Sequence, residues 1–130
     1  MKALELHAGP RALKHLREHG LRPGDVRAIP AAAGGPKGLV LGPLDRFIFG
    51  RWLAQSDHVV HLLGASIGAW RMATACLADP DDAFARMADD YIRQDYEHVP
   101  GKPPKPSHVS AVFGARLCEH FGGQEAQVLN

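Results

Sequence analysis

The stretch that most constrains the fold is Gly64-Ala65-Ser66-Ile67-Gly68, which directly follows the largely apolar residues 59–63. This G-x-S-x-G spacing is typical of a nucleophile elbow, in which a strand turns sharply into a helix with a serine at the tip. Ser66 is then expected in a strained backbone conformation, and Gly64 and Gly68 are expected where side chains would clash as strand and helix converge. The alternative is a tight turn with an ordinary serine at a helix N-terminus.

A second glycine-rich stretch, Gly34-Gly35-Pro36-Lys37-Gly38, follows a predicted strand over residues 26–33. Apolar residues at helical spacing over 39–52 predict a helix after it, and residues 58–63 predict the next strand. Pro30 is expected to interrupt the first strand's ladder, and Pro43 to lie in the helix's first turn or kink it. Strand, helix and strand predict a βαβ unit with parallel strands, both apolar on both faces, and a right-handed crossover.

Because the carboxyl ends of parallel strands meet at one edge of a sheet, the glycine loop is expected beside Ser66. Exposed N–H groups at a helix N-terminus stabilise negative charge, so the loop could form an oxyanion hole. Pro36 has no N–H, which leaves Gly34, Gly35, Lys37 and Gly38 as donors. The loop matches neither a Walker phosphate loop, since Leu39 follows Gly38, nor the G-x-G-x-x-G pattern. A simple tight turn is the alternative.

The flanking segments read mainly as helices. We predict helices over residues 10–20, 67–77 and from Asp79-Pro80 to about Tyr96, and then a proline-rich loop over 98–107. That loop could instead be a PxxP ligand. The third helix is expected to bury one stripe, and a short final helix to pack Leu117 and Phe121 on the core. The stripe consists of Phe84, Ala88, Tyr91 and Ile92.

Composition excludes several classes of protein. The 15 Lys and Arg against 14 Asp and Glu leave no excess charge that would indicate a nucleic-acid partner. Cys76 and Cys118 form neither a disulfide framework nor a CxxC metal clip, which favours a reducing cytoplasm. The first residues do not resemble a signal peptide, and no run approaches the ~18 apolar residues of a membrane span. We predict one domain over residues 1–130, cytoplasmic, with peripheral contact to a membrane left open.

One metal-like motif occurs near the N-terminus. His15-Leu16-Arg17-Glu18-His19 matches the H-x-x-E-H pattern, and on a helix the two histidines share a face. A catalytic zinc needs a third protein ligand and an open cleft. We therefore expect solvated surface histidines, no metal and no cofactor, with a zinc protein as the alternative.

Taken together, residues 33–38 and Gly64–Gly68 resemble the patatin-like phospholipase family, which pairs a G-G-G-x-K/R-G loop with a G-x-S-x-G elbow. The resemblance covers about residues 24 to 78, with Ala33 at the family's first glycine. It implies an α/β fold with a parallel sheet in three layers, of which this chain holds the N-terminal βαβ portion and flanking helices. It further implies that Ser66 is the nucleophile of an acyl hydrolase acting on lipids or other esters, with Gly34, Gly35 and their neighbours as the oxyanion hole.

The chain departs from the family at the base. The family uses a Ser–Asp dyad whose aspartate stands in a D-G-G or D-G-A motif, and this chain has no Asp-Gly pair. We expect the catalytic Asp to lie outside a truncated domain, so that these 130 residues alone are nearly inactive. The alternatives are a degenerate member, a non-catalytic interaction domain, and a Ser-His-acid triad that uses His108 or His120.

Overall fold

The structure is a computed structural model that describes residues 5–129, and these residues combine helices with one small parallel sheet. The two strands are β1 (Ala28–Ala31) and β2 (His61–Gly64). The helices are α1 (Pro10–His19), α2 (Gly42–Phe47), α3 (Ile67–Thr74), α4 (Pro80–Ile92), α5 (Pro106–Phe121) and α6 (Glu125–Leu129).

The two strands pair in parallel, as the βαβ prediction requires. Their register runs from Ala28 opposite His61 to Ala31 opposite Gly64. Both strands are shorter than predicted. Main-chain hydrogen bonds from His61 N–H to Arg27 O (2.9 Å) and from Ala65 N–H to Ala31 O (3.1 Å) extend the contact by one residue at each end.

Pro30 does not interrupt the ladder, so that prediction is wrong. The carbonyls of Arg27 and Ala31 both face β2, and successive residues of a strand direct their main-chain groups to opposite sides. The nitrogen of Pro30 therefore faces away from β2, where its missing N–H costs no bond between the two strands.

Only one face of the sheet is covered within residues 5–129. Ile29, Ala31 and Leu62 are partly buried, and α3 approaches this face. The side chains on the opposite face, those of Ala28, Pro30, His61 and Leu63, are all exposed. The prediction of two buried faces is therefore wrong for the described part of the chain. The α/β class is shown, and one helical layer is seen on the sheet.

The segment between the strands is not one helix over 39–52. It consists of a 3₁₀ helix (Gly35–Leu41), then α2, a π-helical turn (Ile48–Trp52) and a last 3₁₀ turn (Leu53–Gln55). Pro43 lies in the first turn of α2, as predicted. There its missing N–H breaks the hydrogen-bond run that would have joined the preceding turns to α2.

The C-terminal half also differs from its prediction. The Asp79 side chain accepts a hydrogen bond from Asp82 N–H (3.1 Å) and caps α4, which ends at Ile92 and not near Tyr96. Ile92 is 72% exposed, and Met87 is buried in the same stripe as Phe84 instead.

The predicted short final helix is the 16-residue α5, which begins at Pro106 inside the predicted 98–107 loop because proline is well suited to a first helical turn.

The core lies between α3 and α4. Its buried apolar residues come from these helices and the turn that joins them, and they are Ile67, Met72, Leu77, Ala83, Phe84 and Met87. Phe49 stacks on Phe84 with ring centroids 5.8 Å apart. Trp70 of α3 packs edge to face on Phe113 of α5, with ring centroids 5.1 Å apart. This contact attaches α5 to the core formed by α3 and α4.

A buried ion pair joins α2 to α3. Arg71 donates from Nε to Asp45 Oδ2 (2.6 Å) and from Nη2 to Asp45 Oδ1 (2.7 Å). Both side chains are more than nine-tenths buried. Two parallel hydrogen bonds of this kind fix the relative position of two helices as well as their separation.

Replacing Asp45 is expected to destabilise the fold strongly. Asp45→Ala would leave the Arg71 guanidinium buried without its partner, at a cost of about 3–5 kcal/mol in the free energy of unfolding. Asp89→Ala is the matched control because it breaks the exposed Arg93–Asp89 pair, which solvent screens, and it should cost far less. Urea unfolding followed by circular dichroism measures both. Equal losses would contradict the assignment.

A half-buried histidine joins α3 to α5. His120 Nε2 lies 3.0 Å from Thr74 Oγ1, and the Thr74 hydroxyl donates to Met87 Sδ (3.4 Å). His120 Nδ1 is buried with no hydrogen-bond partner among the described residues. Burial lowers the pKa of His120 below its ordinary value of 6.5, and Arg86 lowers it further while Asp90 acts in the opposite sense. Neutral His120 fits the site, and a proton on Nδ1 would have no acceptor.

Stability is therefore expected to fall on mild acidification. Because the folded pKa of His120 is lower than the unfolded one, its contribution is present above about pH 6.5 and is lost as the pH falls through the folded pKa. Urea unfolding at several pH values between 7.5 and 5 would show the decline. His120→Gln should flatten it, whereas His7→Gln, at an exposed histidine, should not. An unchanged slope in His120→Gln would contradict this reading.

Candidate active site

Ser66 lies in a strained backbone conformation at the turn between β2 and α3. Its φ is +54° and its ψ is −128°. Among residues 5–129 it is the only residue other than glycine with a positive φ. Such a conformation costs about 1–3 kcal/mol, and it persists only where the surrounding structure imposes it. The backbone strain expected from the G-x-S-x-G pattern is confirmed.

The hydroxyl of Ser66 is not used as a helix cap. Ser66 occupies the N-cap position of α3, where a serine commonly accepts a hydrogen bond from an N–H of the first turn. Its side chain makes no such bond. The residue is exposed, and no side chain in the described part of the chain is hydrogen-bonded to its Oγ. An ordinary capping serine would behave differently, so the Ser66 hydroxyl is free for other chemistry.

Gly64 and Gly68 are both required by close backbone contacts. A Cβ on Gly64 would lie 2.3 Å from the Cα of Ala69, and a Cβ on Gly68 would lie 2.3 Å from the carbonyl oxygen of Ala31. No side chain fits at either position, and moving a backbone to make room is costly. The mechanical role predicted for the two glycines is confirmed.

The glycine loop lies at the same edge of the sheet as Ser66. Ala31 is opposite Gly64, so the chain leaves β1 beside the point where it leaves β2. Gly38 packs directly against the helix that Ser66 begins, since a Cβ there would lie 2.9 Å from Ile67 Cγ2. Gly35 has a φ of +53°, a conformation that glycine adopts readily.

The loop's four predicted donors are not equivalent. The N–H groups of Gly34 and Gly35 precede the ladder of the 3₁₀ helix, whose cap is Gly34. In a 3₁₀ helix each N–H bonds to the carbonyl three residues before it, which commits the N–H groups of Lys37 and Gly38 to the carbonyls of Gly34 and Gly35. Lys37 follows Pro36 in the first turn, and its ammonium forms no ion pair with any described residue. Of the four predicted donors, Gly34 and Gly35 are therefore the two whose N–H groups lie outside the helix ladder, and Gly38 serves the close approach to Ile67.

The histidines considered as bases are not hydrogen-bonded to Ser66 in the described structure. His120 bonds to Thr74, eight residues along α3 from Ser66, which is about 12 Å at the rise of an α-helix. His108 Nε2 is buried without a partner in the described structure, and the His108 ring lies edge-on to Tyr96 at 6.4 Å. Neither forms a hydrogen bond with Ser66.

The H-x-x-E-H histidines lie on α1, away from this edge. His15 Nε2 is 2.9 Å from Asp25 Oδ1, and the His15 and His19 rings stack at 4.8 Å. Within residues 5–129 no group of three or more His, Cys, Asp or Glu is placed to hold a metal. The described structure thus supplies no third ligand for the zinc alternative.

Sequence reasoning missed the ion pair that fixes the elbow helix. Arg71 is the one charged residue in α3, and Asp45 lies among the apolar residues of the predicted helix 39–52. The lone charge of α3 was the available signal, because a buried charge requires a partner. The pair ties α3, whose N-cap is Ser66, to α2, which follows the glycine loop.

Comparison of the chain with protein-family models, with curated proteins and with solved structures finds no match. Among residues 5–129, none of the helices has the length and apolar character needed to cross a bilayer.

Relief of the strain at Ser66 gives a direct test of the elbow. Ser66→Gly should raise the free energy of unfolding by about 1 kcal/mol, because glycine adopts a positive φ without strain. The same substitution at Ser110, an exposed residue inside α5, should lower it by about 0.5 kcal/mol because glycine is a poorer helix former than serine. Thermal and urea unfolding would measure both. Destabilisation by Ser66→Gly would contradict the strained turn.

Proposed function

We propose that this chain carries the nucleophile and the oxyanion hole of a serine acyl hydrolase of the patatin-like type. The observation that carries the proposal is Ser66 itself, a strained, exposed serine whose hydroxyl does not cap its helix. Strain of this kind concentrates at functional sites, where it presents a side chain in a defined direction. The free N–H groups of Gly34 and Gly35 at the same edge supply the second component.

The proposed reaction is acyl transfer from an ester to water. A carboxylate takes the proton of Ser66 Oγ as the oxygen attacks the ester carbonyl, and a bond forms between Oγ and the carbonyl carbon. The negative oxygen is held by the N–H groups of Gly34 and Gly35; one such donor contributes about 10²–10³ in rate. The tetrahedral centre collapses, the alcohol leaves with the proton, and water then hydrolyses the acyl-enzyme by the same steps.

The carboxylate is proposed to come from outside these 130 residues. The chain has no Asp-Gly pair, and no described side chain is hydrogen-bonded to Ser66 Oγ. The uncovered sheet face is compatible with a further layer of a larger three-layer α/β domain, because parallel sheets are ordinarily covered on both faces. The substrate class proposed is a lipid or another ester. A cytoplasmic location is proposed on the two unpaired cysteines, Cys76 and Cys118.

A fluorophosphonate ester probe tests the nucleophile in the native polypeptide that contains these residues. We expect the probe to form a covalent bond to Ser66, identified by peptide mass spectrometry, and Ser66→Ala to abolish labelling. Ser110→Ala is the matched control, since Ser110 is also exposed but lies inside a regular helix. The chain of 130 residues by itself should hydrolyse p-nitrophenyl esters at close to the uncatalysed rate, because it lacks the base.

Each alternative gives a distinct result. A non-catalytic interaction domain would leave Ser66 unlabelled even in the native polypeptide. Rapid ester hydrolysis by the isolated chain that is lost in Ser66→Ala and in His108→Gln would show that the general base is a histidine and not a carboxylate. Labelling that survives Ser66→Ala would remove Ser66 from the mechanism.

A further inference from the structure

The outward side of α2 and the turn before it is apolar. Val40, Leu44 and Phe47 are spaced as one face of a helix, and they are 80%, 47% and 52% exposed. Asp45, on the other side of the same helix, is buried. This arrangement is the reverse of an ordinary surface helix, which buries its apolar side chains and exposes its charges. We call the surface formed by Val40, Leu44 and Phe47 the outer face of α2.

The contacts that attach α2 to the rest of the protein leave this face uncovered. Asp45 bonds to Arg71 of α3, and Arg46 bonds to Asp81 in the first turn of α4 (2.5 Å). Both anchor α2 through its charged side chains. Exposed large apolar side chains that share one helical face form a patch of the kind that marks an interaction surface.

Cationic side chains stand at both ends of the outer face. Lys37 lies one turn before Val40, and Arg51 lies one turn after Phe47. Arg46 is beside Phe47 and is paired with Asp81, which is also 3.9 Å from Arg51. These three cations and one carboxylate carry a net charge of +2. The surface therefore combines an apolar ridge with positive charge at each end.

An apolar ridge with positive charge at both ends favours an anionic lipid surface over a second copy of the chain as the binding partner. Two copies related by a twofold axis with antiparallel helices would set the Lys37 end of one ridge against the Arg51 end of the other, and like charges would meet at both ends. An anionic lipid surface accepts apolar side chains between its headgroups and attracts the flanking cations. We propose that the outer face of α2 docks the protein on an anionic phospholipid surface.

Docking on this face would bring the candidate site to the lipid. The ridge begins at Val40, two residues after Gly38, and Gly38 packs against Ile67, the residue that follows Ser66. The glycine loop and the tip of the elbow are therefore close to one end of the docked face. Binding itself does not depend on Ser66 acting as a nucleophile, so the two proposals fail separately.

Vesicle co-sedimentation tests the docking. The chain carries Ser66→Ala throughout, so that hydrolysis cannot alter the lipid. We expect binding to phosphatidylcholine vesicles that contain about one-quarter phosphatidylserine, weaker binding to phosphatidylcholine alone, and weaker binding at high salt. Leu44→Ser together with Phe47→Ser should weaken binding by about tenfold or more, since each side chain contributes through its buried apolar area. Arg51→Glu should weaken binding only to the anionic vesicles.

Ile92→Ser is the matched control, because Ile92 is an equally exposed apolar residue on α4, away from the face, and its substitution should leave binding unchanged. Thermal unfolding confirms that each variant is folded. Failure of the parent to bind anionic vesicles would overturn the proposal, as would full binding by the Leu44→Ser and Phe47→Ser variant. Sedimentation velocity identifies the competing occupant: a dimer that this variant dissociates, without vesicle binding, would assign the face to a second copy.

Discussion

The geometry of the candidate site depends on the contact between the backbone of α3 and the ends of the two strands. Gly68 approaches the carbonyl of Ala31 at the end of β1, and Gly64 at the end of β2 approaches Ala69. Because neither contact leaves room for a Cβ, the helix is held closer to the sheet than ordinary side-chain packing allows. The short turn that remains must be closed by Ser66 in a positive-φ conformation. The strain at the serine is thus a consequence of the two glycines beside it.

The second organising feature is the orientation of α2. The Asp45 side chain faces the protein interior, where it is paired with Arg71, one turn past the start of α3. Once Asp45 faces inward, the periodicity of α2 directs Leu44 and Phe47 outward, and Val40 of the preceding 3₁₀ helix is exposed as well. One ion pair therefore fixes the position of the helix after the glycine loop and also determines which surface that helix exposes. The ion pair therefore accounts for the exposed apolar face of α2 beside the candidate site.

Much of the site could be predicted from the sequence, because its determinants are local. The G-x-S-x-G spacing and the apolar run before it predicted the elbow, and two strands joined by a helical segment predicted the parallel pair that sets the end of β1 beside the end of β2. Contacts between distant segments were not predictable in the same way. Trp70, Tyr91 and Phe113 bring α3, α4 and α5 together through aromatic contacts, and no local pattern in the sequence pairs these residues. The division of residues 35–55 into four short helical segments includes a break before α2, where Pro43 lies in the first turn.

Pro30 has a consequence for how the sheet can grow. Its nitrogen faces the outer edge of β1, so this edge lacks a donor at the centre of a four-residue strand. The outer edge of β2 has no proline and keeps its donors and acceptors. An incoming strand would therefore lose a hydrogen bond beside β1 and none beside β2. The two edges of the small sheet therefore differ. The edge of β1 is protected from pairing with another strand, and the edge of β2, next to the elbow, is the one at which a further strand can pair.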